Sequence, residues 1–344
     1  MTLLSGLYPG AEEESTPTDQ LRIRRVGSAR SYPASRIAFA YQASAYLRHA
    51  AYDLWIYSFS AFAPLWVRPN SRCRGILEFH HLMQEHAAAK IPFFGRFAAI
   101  TERRVLATYT DIITVSPSLR DLVSSIRGQS GTHLVYNGVD PECFVDDPIE
   151  EDYILSFGRL DTYTKGLDLL VQAFRRVAAV RPGIRLVIAG RGGVPEVRKL
   201  TQLVDSSSLQ GRVDIRCNVS REDKKELFRR ALFNVAASRY EGWCIAAVEA
   251  SAASKAVIGT RIPGLIDAIR DGETGLLVEP ENADALADAI LRLCEDKDLR
   301  STLGRSGRAW AERFSWDRVA RDQEAVYLNV MASRERFDCV SSAL

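Results

Sequence analysis

The chain has 344 residues. A single hydrophobic core rarely supports a domain of that length, so the length predicts two domains. Lys and Arg number 45 while Asp and Glu number 43. With charges so nearly balanced, the protein as a whole has no positive electrostatic potential strong enough to bind nucleic acid non-specifically. The six cysteines have neither metal-ligand nor redox spacing, and no apolar run approaches the roughly 20 residues of a membrane-spanning helix. Because no signal peptide opens the chain either, we expect a cytoplasmic protein.

Short apolar strands alternate with amphipathic helical segments from end to end, which is the pattern of doubly wound parallel sheets. The predicted strands fall into two series that meet at the acidic linker 146–152. The first series occupies residues 53–57, 75–80, 111–116 and 133–136, and the second occupies residues 153–157, 186–190, 212–215, 233–236, 256–259 and 275–278. Helical periodicity fills residues 166–180 and 282–293. This order predicts an α/β fold of two Rossmann-like domains that face each other across a cleft.

Both ends of the chain add elements to this scheme. Residues 1–6 already have the pattern of a strand, and a loop at 8–14 leads to a second strand at 21–26. Residues 315–330 have the pattern of a helix. We predict a first domain at residues 1–145, completed by a C-terminal helix at 317–344, and a second domain at residues 150–316.

Two glutamates stand close together in the predicted second domain. The apolar run 233–237 is typical of a buried parallel strand, so Glu241 leaves its carboxyl end, and Glu249 lies about two turns into the following helix. The spacing predicts one carboxylate fixed at a crevice of the sheet and the other beside it.

Two cations follow the first predicted strand of the same domain. Arg159 is placed just past the strand and Lys165 opens the next helix, with Gly166 at its start. Both side chains can therefore converge on a phosphate that backbone N–H groups also approach. An enzyme from whose substrate a phosphate departs must stabilise the negative charge that grows on this leaving group. Two fixed cations can do this, although Arg and Lys at this spacing are commonplace and, without their context, more typical of a solvated helix start.

Taken together, residues 156–166 and 238–250 resemble the donor site of the retaining glycosyltransferases of family 4, a large family of nucleotide-sugar-dependent enzymes. The resemblance covers about residues 50 to 330 and is most specific from 153 to 280. It implies that the second domain binds the donor and that the first domain faces the acceptor.

The resemblance also gives the strands at 1–6 and 21–26 the places of the second and third strands of the family's first domain. The family's first strand, with its glycine-rich loop and helix, is then missing, although that strand is central in a doubly wound sheet. We interpret this as a start codon that is assigned too late. The alternative is a natural domain that lacks its middle.

Roles for the residues around the two glutamates follow from the resemblance. Glu249 would hold the ribose hydroxyls, and Glu241 would contact hydroxyls of the transferred sugar near the reacting carbon. The backbone N–H groups of Trp243, Cys244 and Ile245 open the helix and would bind phosphate with the help of its dipole. The family usually has glycine where Cys244 stands. The cysteine side chain therefore limits how closely the backbone can approach the phosphate here.

Four further residues give weaker signals, and three of them match the family: His80, Asn218 and Val219. His80 ends a predicted strand where the family has a histidine that approaches the donor sugar and the acceptor, and His81 is the alternative. The glycine-rich stretch that begins at Gly190 would bring backbone to the nucleotide or form a plain turn. Asn218 and Val219 match the place where family members bind the base through backbone atoms.

The resemblance implies a reaction without an enzyme nucleophile, because the departing phosphate assists deprotonation of the acceptor on the same face of the sugar. We predict a retaining, metal-independent glycosyltransferase of polysaccharide or glycolipid biosynthesis. Its co-substrate is a UDP- or GDP-linked sugar, its acceptor a glycan, a lipid-linked glycan or a small molecule, and no cofactor is expected. Two alternatives stay open: a nucleotide-sugar epimerase on the same scaffold, and a non-catalytic nucleotide-sugar-binding subunit.

Two segments add weaker expectations. Residues 90–97 combine basic and aromatic side chains, which fits either a peripheral contact with the inner face of the membrane or an acceptor-site loop that packs on the core. Residues 296–298 imitate the metal-binding Asp-x-Asp of the other major glycosyltransferase fold. Because they lie between two predicted helices, we interpret them as a solvated helix connection and expect no metal there.

Overall fold

The computed structural model describes residues 1–30, 32–50, 52–59, 74–82, 92–128 and 131–341. The chain divides into two compact units, each assembled from separate stretches of sequence. The first unit comprises Met1–Thr114, Arg120–His133 and Ala325–Leu344, and the second comprises Val115–Leu119 and Leu134–Glu324. Parallel sheets in both units confirm the predicted α/β fold with two domains. The limits given above for the two domains stay a prediction.

The first unit begins with a small sheet and a helix. These elements are β1 (Thr2–Gly6), β2 (Glu14–Thr18), β3 (Leu21–Val26) and α1 (Tyr32–His49). The strand order is β1-β3-β2, with β1 parallel and β2 antiparallel to β3. The strands predicted at 1–6 and 21–26 are confirmed. The sequence does not predict β2, because residues 14–18 lack apolar alternation and contain Pro17, which fits only because β2 lies at the edge of its sheet.

A second sheet completes the strands of the first unit. The elements are β4 (Leu54–Ser58), β5 (Arg74–Phe79), α2 (Pro92–Thr108), β6 (Asp111–Thr114), α3 (Pro117–Arg127) and β7 (Thr132–Leu134). The order is β4-β5-β6-β7, and β5 pairs in parallel with both β4 and β6. Within the described ranges no pairing joins β1–β3 to β4–β7. The strands of the first predicted domain therefore form two sheets, where a Rossmann-like domain has one.

The second unit alternates strands and helices from Tyr153 onwards. Its elements are β8 (Tyr153–Arg159), α4 (Leu167–Val180), β9 (Arg185–Arg191), α5 (Val194–Ser206), β10 (Val213–Cys217), α6 (Arg221–Arg230), β11 (Asn234–Ala236), α7 (Ile245–Ala252), β12 (Val257–Thr260), α8 (Leu265–Ala268), β13 (Gly275–Val278), α9 (Ala283–Glu295) and α10 (Lys297–Ala311). The six strands predicted in the second series are confirmed, as are the helices predicted at 166–180 and 282–293.

The strand order of the second unit marks a position for a binding site. The six parallel strands lie in the order β10-β9-β8-β11-β12-β13. The order reverses between β8 and β11, because the chain adds β9 and β10 on one side of this pair and β12 and β13 on the other. In an open parallel sheet, ligands bind in the crevice at the carboxyl ends of the two strands that flank such a reversal.

Apolar burial holds the helices of the second unit on this sheet. Along α4, Leu167, Leu170, Phe174 and Val177 are at most 3% exposed and share one face at helical spacing. Burial of each such side chain contributes about 1.5–3 kcal/mol. The helix α4 directly follows the candidate phosphate-binding residues, and this apolar face fixes it on the sheet.

Capping side chains set the starts of the last helices. Asn282 accepts a hydrogen bond from the Ala285 N–H at 2.9 Å, and Asp296 accepts one from the Leu299 N–H at 2.8 Å. The interpretation of residues 296–298 as a helix connection is confirmed, because Asp296 caps α10. The last helix, α11 (Trp316–Ser341), begins where the sequence predicts it.

In the part of the chain that the structure describes, no helix is both long and apolar enough to cross a membrane. Of the segment 90–97, residues 90 and 91 and the side chains of the others lie outside the described residues.

Candidate active site

A pocket opens at the reversal of strand order in the second unit. Asn234 of β11 pairs with Leu155 of β8, so the carboxyl ends of these strands lie side by side. Four of the predicted site residues line the pocket together: Arg159, Lys165, Glu241 and Cys244. The other lining residues are Ser156, Phe157, Gly158, Leu160, Leu167, Ile188, Ala189, Ala236 and Ser238.

An ion pair joins two of the predicted residues across this pocket. Lys165 Nζ donates a hydrogen bond to Glu241 Oε1, and the side chains are 19% and 9% exposed. Ser238 Oγ donates to the same oxygen at 2.9 Å. Burial acts to lower the pKa of Lys165, but the Glu241 carboxylate more than offsets burial, so that pKa lies above its ordinary value. Lys165 is therefore a fixed positive charge at neutral pH.

The backbone before α4 brings Lys165 to this position. Lys165 lies in the turn before the helix and does not open it, because α4 starts at Leu167 and Gly166 is the N-cap. Gly166 has a φ of 58°, and a Cβ there would lie 1.9 Å from the carbonyl oxygen of Ala237. Only glycine allows the turn to approach the loop after β11 so closely.

Arg159 contributes the second cation. It is the last residue of β8, which extends two residues beyond the predicted strand 153–157, so Arg159 ends the strand and does not follow it. The residue is exposed. Its charge acts on Lys165 and tends to lower the pKa of that residue, as expected for two cations at one site. Arg159 makes no ion pair with the described residues, so its guanidinium is available to an anionic ligand.

Glu249 occupies a separate, buried position. It is the fifth residue of α7, one turn in and not two, and 6% exposed. Lys224 Nζ on α6 donates to Glu249 Oε1 at 2.5 Å. Burial raises the pKa of Glu249, and the Lys224 charge offsets this only in part. Lys224 Nζ also lies 5.6 Å from the ring centroid of Phe157, which lines the pocket.

The sequence gives no sign of Lys224, because it lies in a run of charged residues typical of a solvated helix. Only the folded chain brings it to the carboxylate of Glu249.

The start of α7 presents fewer free donors than predicted. The Ile245 N–H donates to the Trp243 carbonyl at 3.1 Å, whereas no described acceptor takes the N–H groups of Trp243 and Cys244. Trp243 is buried against Tyr136 and Phe314, with ring centroids 5.1 and 5.0 Å away. Burial raises the pKa of Cys244 to about 12, so its side chain is a neutral thiol. Two N–H groups and the helix dipole remain for an anion.

The residues predicted at the base contact each other. Gly190 has a φ of 142°, and a Cβ there would lie 1.8 Å from the Gly158 carbonyl oxygen. Its carbonyl accepts from the Asn218 N–H at 2.6 Å, so that N–H is engaged within the protein. The Asn218 side chain bonds to the backbone of Gly192. Val219 follows, half-buried. The predicted base-binding role stays a prediction.

His80 lies in the first unit, one residue beyond β5, and is exposed. His81 is exposed as well. The role predicted for His80 at the donor sugar stays a prediction. In the described residues no cluster of His, Cys, Asp or Glu could hold a metal ion.

Two family models together match most of the chain. The model described as Glycosyltransferase Family 4 matches residues 1–143, and the model described as Glycosyl transferases group 1 matches residues 145–310.

Relatives of known description give the same picture. The D-inositol 3-phosphate glycosyltransferase of Acidothermus cellulolyticus is 31% identical over 54% of this chain and 43% of its own length. The GDP-mannose:cellobiosyl-diphosphopolyprenol α-mannosyltransferase of Xanthomonas oryzae pv. oryzae is 29% identical over 65% of this chain and 59% of its own length. This chain spans about half the length of the curated relatives that it matches.

Among solved structures, a sucrose-phosphate synthase from Thermosynechococcus elongatus has a TM-score of 0.83 at 22% identity, over 96% of this chain and 89% of that one. This likeness shows the shared fold. With the two family models it leads to one conclusion: the chain belongs to the family 4 glycosyltransferases, which are built on two Rossmann-like domains.

Proposed function

We propose that the protein is a retaining glycosyltransferase that moves a sugar from a UDP- or GDP-linked donor to a glycan, a lipid-linked glycan or a small acceptor. The observation that carries this proposal is the convergence of Arg159, Lys165 and Glu241 in one pocket, at the reversal of strand order. Open parallel sheets bind nucleotides at such a position. Membership of family 4 supports the same reaction class.

The two cations would stabilise the leaving group. As the bond between the anomeric carbon and the diphosphate breaks, charge grows on the phosphate oxygens that Arg159 and Lys165 approach. Each charge-assisted hydrogen bond contributes about 1.5–3 kcal/mol. Lys165 donates a hydrogen bond to Glu241, so the diphosphate would share or replace this contact. Glu241 would then accept hydrogen bonds from hydroxyls of the transferred sugar.

Glu249 would hold the ribose of the donor. A carboxylate is an acceptor only, which suits two neighbouring hydroxyl donors. Lys224 engages Oε1, and Oε2 makes no hydrogen bond to the described residues. The Lys224 charge opposes the effect of burial and so favours the ionised form that this role requires.

Retention would follow from attack on the face from which the diphosphate leaves. The anomeric C–O bond to the phosphate breaks, the bond to the acceptor oxygen forms, and the acceptor proton passes to the departing phosphate. No enzyme nucleophile takes part. The positive charge comes from Arg159 and Lys165, so the proposal requires no metal.

The test is donor turnover with a panel of UDP-glucose, UDP-galactose, UDP-N-acetylglucosamine and GDP-mannose. Acceptors are inositol phosphate, chosen for the relative from Acidothermus, and a glycan on a polyprenyl diphosphate, chosen for the relative from Xanthomonas. We expect release of one nucleoside diphosphate and an α-linked product from an α-linked donor. Arg159→Ala should abolish most turnover, while Arg175→Ala, an exposed arginine on α4, should not.

Three outcomes would contradict the proposal. An epimerised donor without transfer would indicate the epimerase. Stabilisation by UDP or GDP without turnover of any donor would indicate a binding subunit. A β-linked product from an α-linked donor would contradict retention.

A further inference from the structure

Arg239, in the loop between β11 and α7, uses all five N–H donors of its guanidinium group. Arginine offers five such donors in a rigid fork. The hydrogen bonds run from Nε to Glu281 Oε1 at 2.5 Å, from Nη1 to the Tyr163 carbonyl at 2.8 Å and Asp168 Oδ1 at 2.7 Å, and from Nη2 to Asp168 Oδ2 and Glu281 Oε2 at 3.0 Å each. The side chain is 12% exposed.

These contacts join the loop that carries Arg239 to the stretch 163–168 and to Glu281. Tyr163 lies in the turn after β8, Asp168 in the first turn of α4, and Glu281 between β13 and α9. The guanidinium also covers the Tyr163 ring, 4.8 Å from its centroid. The Arg239 backbone N–H donates to the Thr164 carbonyl at 3.0 Å. Arg239 is thus bonded by main chain and side chain to the turn that carries Lys165.

The turn before α4 and the loop that carries Arg239 each provide one residue of the ion pair in the pocket. Lys165 is the residue after Thr164, and Glu241 is two residues after Arg239. We propose that Arg239 is a positioning residue that fixes Lys165 relative to Glu241 for transfer. This inference rests on the proposed function, and it adds a residue that does not line the pocket.

Geometry makes this role consequential. A displacement of about 1 Å at a catalytic group can lower turnover about 100-fold, because the group no longer meets the transition state. In Arg239→Ala, Asp168 and Glu281 lose their shared cation, and the turn before α4 loses the five side-chain hydrogen bonds of Arg239. The bond from the residue-239 N–H to the Thr164 carbonyl, the contact between the Tyr163 and Tyr240 rings and the Lys165–Glu241 pair itself are then left to hold the turn against the loop after β11. We expect a turnover loss of about 100-fold, with the affinity for UDP or GDP reduced less than the turnover number.

Arg300 on α10 provides a matched control. It is 6% exposed and makes an analogous fork to Glu150, with Nε to Oε1 at 2.8 Å and Nη2 to Oε2 at 2.6 Å. Neither residue lines the pocket. Arg300→Ala should lower the melting temperature as Arg239→Ala does but keep turnover near that of the parent, when both are assayed well below their melting temperatures. Arg239→Lys, which keeps the charge but not the fork, should fold stably and still lose turnover.

A double variant separates positioning from a general loss of stability. If Arg239 acts through the ion pair, its removal should cost little turnover in a Glu241→Gln chain, where the pair is already broken. An unchanged kcat in Arg239→Lys, or an equal fold-loss in the parent and the Glu241→Gln background, would overturn the inference.

A crystal structure of Arg239→Lys tests the inference independently of activity. We expect Lys165 Nζ to have moved away from Glu241, and an unchanged pair would overturn the inference. If the parent chain turns over no donor and neither UDP nor GDP stabilises it, the proposed function fails instead. The structure of the variant then still decides whether Arg239 sets the pair.

Discussion

Two lysines of the second unit illustrate different consequences of burial. Lys165 faces the pocket and pairs with Glu241. Lys255, between α7 and β12, is 3% exposed, and its Nζ donates to the Ile149 carbonyl at 2.6 Å. Burial acts to lower the pKa of both. Glu241 reverses this for Lys165, whereas the pKa of Lys255 falls to about 8. The charge of Glu150 also acts on Lys255 but only partly offsets its burial. A carboxylate that bonds directly to the lysine, as Glu241 does, keeps that lysine charged for a ligand.

The largest expected effect is on turnover. Lys165→Ala and Arg159→Ala should each lower turnover by roughly 100- to 1000-fold, the loss seen when a preorganised charge-stabilising donor is removed. Both variants should still fold, because both residues lie at the pocket, although Lys165→Ala should melt earlier because it leaves the largely buried Glu241 without its cation. The control variant is Lys255→Met, which removes a buried lysine away from the pocket and should leave turnover near that of the parent. Near-normal transfer by either pocket variant would remove that residue from the diphosphate site.

The second prediction concerns stability and pH. The pKa of Lys255 is about 8 in the folded chain, whereas an exposed lysine, as in the unfolded chain, has a pKa of 10.5. The unfolded chain therefore binds more protons between these values, so the free energy of unfolding should rise with pH across this window, by at most about 3 kcal/mol. Denaturant unfolding at pH 7.5 and pH 10 measures the rise. Lys255→Met should lack this contribution, and equal pH dependence in parent and variant would show that Lys255 does not carry it.

The third prediction separates the two glutamates. Glu249→Gln should weaken the binding of free nucleoside diphosphate and donor alike, by about 1–3 kcal/mol, because a charged acceptor is lost. Glu241→Gln should depress transfer and leave the binding of free nucleoside diphosphate nearly intact. Titration calorimetry with both ligands tests the split. An equal loss of nucleotide affinity in both variants would mean that the roles are assigned wrongly.

The smallest expected effect is a shift in pH dependence. Because burial raises the pKa of Glu249, nucleotide affinity should begin to fall above pH 4.5 as the solution is acidified. The charge of Asp140 adds to this rise, and Lys224 opposes it. Lys224→Met should therefore move the loss of affinity to higher pH. At each pH, the nucleotide affinity of the chain under test is divided by that of the Glu249→Gln variant. This ratio cancels the titration of the nucleotide's own phosphates. An unmoved profile would separate Lys224 from the site.

Sequence reasoning succeeds where the physical signal is local. The strands of the second unit are continuous apolar runs between polar turns, so their existence and their parallel order could be predicted. Placing Arg159 and Glu241 at the ends of two strands needed only that order and the rule for crevices in such sheets. The helix connection at Asp296 could likewise be recognised from its neighbours.

The rest depends on contacts between distant residues. Lys224 is 25 positions from Glu249, and Arg239 meets Asp168 and Glu281 at separations of 71 and 42 positions. No periodicity encodes such pairs, which form only when helices settle on the sheet. β2 has no apolar alternation to reveal it. The division of the first unit into two sheets is likewise a matter of strand pairing, which local patterns do not determine.

The most direct test of the central claim is calorimetric. UDP with uridine and GDP with guanosine are titrated into the parent, Lys165→Ala and, as the control, Lys255→Met. We expect the parent to bind one diphosphate far more tightly than its nucleoside. Lys165→Ala should lose about 10- to 100-fold of that preference, from one charge-assisted hydrogen bond, and Lys255→Met should keep it. The same preference for diphosphate in the parent and Lys165→Ala would contradict the claim that this pocket binds the diphosphate of a nucleotide sugar.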